Sequence, residues 1–571
     1  MNKENRIKYF LFVSVCFLII FILAIIVWYS PVLFKGHAPY KLTDGPLLAR
    51  NFYQDGQYSI ENDLNVLLAP NLIKDQGIPS AGGNKLTIIL YSKIFKITGL
   101  FEADDLIWLS IFIYALTLLI FTGIVLYLFN LKTALIFSLI YIFLPFNWNL
   151  PYYFCTYEFA LFFLSLFFLF YLHGVTKKQQ LNYIYLIVSG IFLALACLSR
   201  ETLLLIIPFL LIYLWIKYPK KYLLYIFIPF VILFSFFWLP NINHDAYLQV
   251  FTIKTSEEIK SADFNFYGHI YPDPYTYHFE QNEFLENIQK QINSNDLVLA
   301  KEIDLNRELK NIGIAEISLI DRTRAGLTLG FRHLFRFISL EDIGGPFIFL
   351  LIILGLYSLR DKNKSLNQFF IYWIFSTIFL MSFIALVGRN HLMDFNWAIA
   401  LLVSLGLLVL IDLLINYFKF ENKKATTAYL VVLFIILYHL ITVGHIVWSR
   451  NYNNNSNLMI KAYSQEVKSL NIEDKDVIAV NLNSPDVYYL NYLTNKSVVL
   501  FRPETIDNLL IKNKLNFAFE QFNIKYILGY SDELTEEIIN KSNVTNVASN
   551  SLKPIISEIS RNKSWLMNLI K

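Results

Sequence analysis

The chain has 571 residues, of which 56% are hydrophobic, 17% aromatic and only 16% charged, with a formal net charge of +4. That balance is too apolar for a soluble globular protein of this length and describes an integral membrane protein. Acids and bases nearly cancel, so nothing in the charge points to nucleic acid, which is excluded as a partner. Cys16, Cys155 and Cys197 fall in separate apolar segments, an arrangement that argues against a disulfide frame or a cysteine metal cluster.

In chain order, Lys3, Arg6 and Lys8 precede an apolar run from Tyr9 to Tyr29 that no small-residue cleavage site closes. It reads as an uncleaved first helix rather than a signal peptide. A transmembrane helix takes roughly twenty mostly apolar residues. By that measure about eleven spans are expected: the first run, then Leu106 to Phe129, Thr133 to Trp148, Tyr152 to Leu172, Tyr183 to Leu198 and Thr202 to Ile216. Tyr222 to Leu239, Gly344 to Leu359, Phe369 to Leu386, Phe395 to Tyr417 and Ala428 to Val447 complete the set.

Lys and Arg in short loops mark the cytoplasmic side. With the N-terminus inside, that face receives Lys132, Lys177, Lys178, Lys217, Lys220, Lys221, Arg360, Lys362, Lys364, Lys419, Lys423 and Lys424. The two short loops of the other face, "SRE" (Ser199 to Glu201) and "GRNH" (Gly388 to His391), carry one Arg each. Residues 1–447 are therefore expected to form a multi-pass domain of the plasma (inner) membrane with long outer loops at 30–105 and 240–343. Residues 448–571 follow on the extracytoplasmic side.

The first outer loop opens with "TDGPLLARNFYQDG", where Thr43 suits an N-cap, Pro46 a first helical turn and Gly56 a stop. A short surface helix is expected there. A second, Leu86 to Ile97, is closed by Gly99 and is too short and too basic to span, so it suits the interface. In the second long loop, Arg322, Arg324, Arg332 and Arg336 among apolar residues read as a helix on anionic headgroups. His269, Asp273, His278 and Glu280 are irregularly spaced and make a poor metal set. After the Asn-rich "NYNNNSN", the runs "VIAVNL", "SVVLF" and "KYILGY" alternate with helical stretches, the pattern of a small α/β domain. It has no phosphate loop and no nucleophile elbow, which suits a supporting or acceptor-docking module.

Ionisable groups at membrane depth cost about 2.5–3.5 kcal/mol each on insertion scales and so call for a purpose. Asp44, Lys85, Glu158, Arg200, Glu201, Arg389, His391 and Asp394 all fall at outer ends of spans. Basic groups beside a carboxylate there suit a lipid phosphate next to a group that loses a proton. Each also has a structural reading. Arg200 can pair with Glu201, Arg389 can snorkel, His391 can sit satisfied at the interface, and Glu158 can pair internally. Asp394 suits an N-cap, and Asp44 a helix-start acid.

The order "D-x4-A-R-N" with "GQYS" (Asp44, Ala49, Arg50, Asn51, Gly56 to Ser59), Lys85 opening "KLTIILYSKIFKITGL", then "GIFLALACLSRETLLLIIPFLLIYL", "RNHLMDFNWAIALLVSLGLL" and "NSPDVYYLNYLTNKSVVLF" resembles the GT-C superfamily of polytopic glycosyltransferases. It is similar in particular to the families of dolichyl-phosphate-mannose-protein mannosyltransferases and of the lipid A aminoarabinose transferase. The resemblance implies a GT-C type helical membrane fold with an outer α/β domain, and a hexosyl- or pentosyltransferase. Its donor is a polyprenyl-phosphate-linked sugar, and its acceptor is a protein, lipid or glycan.

By the same resemblance Asp44 is the general base of an inverting displacement. Lys85, with Arg200 and Arg389, holds the donor phosphate, and Arg50, Glu158, Glu201 and His391 are accessory. Many relatives place two prolines after the lysine, and "NKLTII" has none. A second acid is expected in the first outer loop or at the start of the fourth span, where Asp55, Asp63 and Glu158 stand. No cofactor is required, and a divalent metal stays open because some members use one and others do not. The alternative from another class is a transporter or flippase of lipid-linked glycans, which favours charges strung through the middle of several spans. A third is a non-catalytic envelope-assembly protein in which Asp44 is dispensable.

Overall fold

The computed structural model describes residues 85–99, 103–147, 157–176, 182–200, 203–217, 220–238, 343–374, 394–418, 427, 430–443, 456–482, 490–500 and 506–547, with interruptions of one or two positions within these ranges. The first expected span lies outside the described residues, as do most of the two long outer loops, residues 375–393 and residues 548–571.

Among the described residues, ten labelled helices and one further helical stretch make up the apolar part. α1 (Lys85–Thr98) ends at Gly99, whose φ of +67° is the left-handed cap position and whose N–H donates to Phe95 O at 2.8 Å. α2 (Ala103–Leu128) is followed by α3 (Leu131–Phe143), for which Asn130 is the N-cap, its side chain accepting from the Thr133 N–H at 2.9 Å. α4 (Tyr157–Thr176), α5 (Asn182–Ser199), α6 (Ile206–Lys217) and α7 (Lys220–Trp238) follow. Then come α8 (Pro346–Lys362), a helical stretch at 366–374, α9 (Asn396–Phe418) and α10 (Leu430–Val443).

Among the described residues, Trp108–Leu128, Tyr157–Val175 and Asn396–Phe418 are long and apolar enough to cross a membrane, and shorter apolar helices accompany them. α6, α7 and α10 turn Ile216, Phe236 and Phe434 outward. An apolar exterior of this kind is stable against lipid rather than water.

The helices pack α4 on α5, α5 on α7, α2 on α3 and α4, α9 on α3 and α8, and α1 on α5. Glycines permit the closest approaches. A Cβ added at Gly355 in α8 would lie 1.9 Å from Leu402 O, and one at Gly406 in α9 would lie 1.9 Å from Leu351 O. The two backbones touch, which is how membrane helices gain dispersion contacts without a hydrophobic effect between them.

From Ser456 the character changes. α11 (Ser456–Ser469) precedes β1 (Val477–Val480), β2 (Ser497–Leu500), α12 (Leu515–Gln521), β3 (Ile524–Leu528), α13 (Asp532–Lys541) and β4 (Thr545–Asn546). The strands form one parallel sheet in the order β2-β1-β3-β4, with Val477 opposite Ser497 and Ile478 opposite Tyr526. Parallel neighbours need crossovers, which the intervening helices supply. All four residues of β1 are buried, so this central strand reads as an unbroken apolar run.

Candidate functional site

One end of the helical bundle holds a cluster of buried polar side chains. Tyr157 and Glu158 begin α4, and Arg200 extends the last turn of α5, its N–H donating to Ala196 O at 3.0 Å. Asp394 sits in a short turn directly before α9. The Arg200 Nε donates to Asp394 Oδ1 at 2.5 Å, and the guanidinium carbon lies 3.7 Å from the centre of the Tyr157 ring. Arg200 is 8% exposed and Asp394 2%. At that burial each charge alone would carry a desolvation penalty of several kcal/mol, which the pairing and the ring contact offset.

Beside this pair, Glu158 is buried and its Oε1 accepts from the Ser110 hydroxyl of α2 at 2.9 Å. In the first turn of α9, the Asn396 Nδ2 donates to Tyr141 Oη at 2.9 Å and to Asn147 Oδ1 at 3.2 Å. The Tyr141 carbonyl in turn accepts from Asn147 Nδ2 and, at 3.2 Å, from the Tyr114 hydroxyl. Trp397 stacks on Phe121 at 5.1 Å and packs on Phe168 at 4.8 Å. The first turn of α9 is thereby tied to α2, α3, α4 and α5.

Of the residues singled out from sequence, Arg200 pairs with Asp394 and lies over the ring of Tyr157, the residue before Glu158. Lys85 is the first residue of α1, and Tyr91 of that helix packs edge-on against Phe159, next to Glu158, at 5.3 Å. Six residues separate Lys85 from Tyr91, or about 9 Å of helix rise. Asp44, Arg50, Asp55, Asp63, Glu201, Arg389 and His391 lie outside the described residues, as do His269, Asp273, His278 and Glu280. Arg389 and His391 precede Asp394 by five and three positions.

Arg200 pairs with Asp394, an acid read above as an N-cap, while Glu201, the partner offered by the sequence, lies outside the described residues. Sequence reading also passed over Ser110, Tyr141, Asn147 and Asn396. The available signal was weak: each is a polar residue within or beside an apolar run. Among the described residues no group of three or more His, Cys, Asp or Glu is placed to hold a metal.

No family model matches the chain, and no curated protein matches it. Solved structures do. The oligosaccharyltransferase AglB of Archaeoglobus fulgidus, in complex with an inhibitory peptide and a dolichol-phosphate, matches with a TM-score of 0.52 at 12% identity, over 92% of this chain and 70% of that one. A structure of the Archaeoglobus fulgidus oligosaccharyltransferase in complex with Zn and sulfate matches with a TM-score of 0.52 at 14% identity, over 90% and 67%. The apo form gives 0.52 at 13%, over 91% and 69%. Identity at this level transfers no residue roles; what the likeness shows is the fold. The chain has the GT-C fold.

Proposed function

We propose that the chain is a membrane glycosyltransferase that takes its sugar from a polyprenyl-phosphate-linked donor and passes it to an acceptor on the outer face. The observation that carries this reading is the GT-C fold itself, shared with an oligosaccharyltransferase whose structure holds a dolichol-phosphate and a peptide. The concentration of buried charge at one end of the bundle supports it. A protein keeps paired charges in an apolar bundle where a charged ligand is handled, and the phosphate of a lipid-linked sugar is such a ligand.

In the proposed reaction an acceptor hydroxyl attacks the anomeric carbon while the bond from that carbon to the phosphate oxygen breaks. The phosphate leaves with the bonding electrons, the configuration inverts, and Asp44 takes the hydroxyl proton. Lys85, Arg200 and Arg389 neutralise the leaving phosphate, with Arg50, Glu158, Glu201 and His391 in supporting places. About eleven spans, a cytoplasmic N-terminus and an extracytoplasmic α/β unit that docks the acceptor complete the reading. The Zn in one neighbouring structure makes metal dependence a property to measure, by activity before and after chelation.

The test is sugar transfer by purified protein from a panel of polyprenyl-phosphate sugars to candidate acceptors. Asp44→Asn should reduce turnover about 10²–10⁴-fold, the usual contribution of a general base. Equal transfer by the two proteins would remove Asp44 from the chemistry. No transfer from any donor, together with lipid scrambling in liposomes, would replace the enzyme with a flippase.

A further inference from the structure

We propose that the turn joining α6 to α7 binds the anionic headgroup of a membrane phospholipid, with Lys220 and Lys221 as its cations; the inference stands apart from the sugar transfer proposed above. Tyr183, in the first turn of α5, lies 6.1 Å from Tyr225 of α7. Further along both helices, a Cβ on Gly190 would meet Ile226 O at 2.1 Å and Pro229 at 2.9 Å. α7 therefore runs beside α5 in the same direction, and Arg200 extends the far end of α5. The lysines that open α7 thus stand at the end of the bundle opposite the buried polar cluster.

The turn concentrates positive charge where a helix resists it. Lys220 and Lys221 are the first two residues of α7, no acid stands in its first turn, and Lys217 ends α6 three positions earlier. Cations at a helix N-terminus face the positive end of the dipole, and crowded like charges repel. Among the described residues no acid pairs with Lys220 or Lys221. Lys220 is instead placed by a ring, its Nζ 4.5 Å from the centre of the exposed Trp215 near the end of α6. An anion here would meet the lysines together with the first N–H groups of α7, which have no partner within the helix.

The surroundings select the anion. From Lys220 along α7, Leu224, Ile228, Ile232 and Phe236 follow at four-residue spacing, and all are exposed. Residues four apart are neighbours on a helix surface, so an apolar track leads away from the lysine. From Leu224 to Phe236 it rises about 18 Å, close to the roughly 15 Å of hydrocarbon in one leaflet. Trp215, Tyr183 and Tyr225 are exposed at the lysine end, where aromatic side chains sit at a membrane–water interface. A cationic head, an aromatic level and an apolar track one leaflet long fit a phospholipid. A soluble anion has no use for the track.

The experiment incubates the purified full chain in detergent with equal amounts of phosphatidylglycerol and phosphatidylcholine and reads the lipids retained by native mass spectrometry. Wild type should retain phosphatidylglycerol over phosphatidylcholine by about tenfold. Lys220→Gln with Lys221→Gln should bring that ratio to about one, whereas Lys220→Arg with Lys221→Arg keeps both charges and should hold it within about twofold. Lys221→Gln alone should lower it about threefold, and decides the matter if the double glutamine variant does not fold. A ratio near one in wild type, or an undiminished ratio in the glutamine variants, overturns the proposal.

Arg360 and Lys364, exposed cations at the end of α8 and just beyond it, control for diffuse charge. Arg360→Gln with Lys364→Gln should leave the ratio unaltered, and a loss equal to that of the Lys220 and Lys221 pair overturns the site. Inorganic phosphate that abolishes the preference, where chloride of equal ionic strength does not, assigns the turn to a soluble anion and overturns the proposal. Polyprenyl phosphate retained in place of phosphatidylglycerol, and lost with the lysines, assigns the turn to the lipid-linked donor and overturns it too. Wild type that prefers phosphatidylglycerol but transfers no sugar overturns the enzymatic reading and supports the lipid site.

Discussion

In the helical region, side chains reach across the sequence to one another: Arg200 to Asp394, Asn396 to Tyr141 and Asn147, Ser110 to Glu158. In the sheet unit, the side-chain hydrogen bonds between described residues are local or end on backbone. Ser531 caps α13 by accepting from the Leu534 N–H, Lys541 pairs with Glu537 one turn away, and Lys496 and Asn481 donate to the carbonyls of Ile472 and Gly529. A backbone carbonyl is supplied by any residue, whereas a carboxylate opposite an arginine is supplied by one. The bundle end therefore depends on residue identity at widely separated positions, and the sheet unit depends on local pattern.

The largest effect that probes this contrast comes from the helix contact supporting the bundle end. Gly406→Leu puts a side chain where even a Cβ would lie 1.9 Å from Leu351 O, and α8 cannot remain against α9. A loss of about 3 kcal/mol or more is expected, read as a collapse of the folded fraction in detergent. Near-normal thermal unfolding of that variant would show that α8 and α9 do not touch as described.

Next is the polar tie of α9. Asn396→Leu leaves buried oxygens of Tyr141 and Asn147 without this donor, and should cost about 1–3 kcal/mol. Because the same turn carries Asp394, the donor KM should rise with it. A stability loss with the donor KM unchanged would uncouple the tie from the site.

Smaller changes are expected in the sheet unit. Ser531→Ala removes one N-cap and should cost about 1 kcal/mol with transfer kinetics unaltered. The smallest is a pH effect. Burial pushes the Tyr530 hydroxyl well above its ordinary value of 10.0, because it disfavours the phenolate. Below that value both folded and unfolded chains carry the proton, so nothing is lost there. As the pH rises past it the unfolded chain ionises first, and stability falls. Tyr530→Phe should remove that alkaline loss and leave unfolding near neutral pH unaffected; an alkaline loss of the same size in Tyr530→Phe would assign it to another group.

The local part of the architecture was legible from residues. "VIAVNL" and "SVVLF" contain β1 and β2, and "KYILGY" all of β3 but its first residue, since buried parallel strands are short apolar runs bounded by polar residues. β4, only Thr545–Asn546, carries no such run and was not foreseen. Apolar runs likewise announced α2, α4 and α9. Arg200 and Glu158 stood out because charge within apolar surroundings is rare. Their partners did not: 194 positions separate Arg200 from Asp394, and 255 separate Asn396 from Tyr141. Hydropathy and loop charge say which end of a span a residue occupies, but not which other span stands beside it.

The central claim is that a sugar leaves a polyprenyl phosphate on this protein. The direct measurement is release of free polyprenyl phosphate from a labelled polyprenyl-phosphate sugar, followed alongside label in the acceptor. The account predicts one polyprenyl phosphate released for each sugar transferred by wild type, and both products falling together by about 10²–10⁴-fold with Asp44→Asn. Labelled acceptor formed without release of polyprenyl phosphate, or equal release by the Asp44→Asn protein, would contradict it.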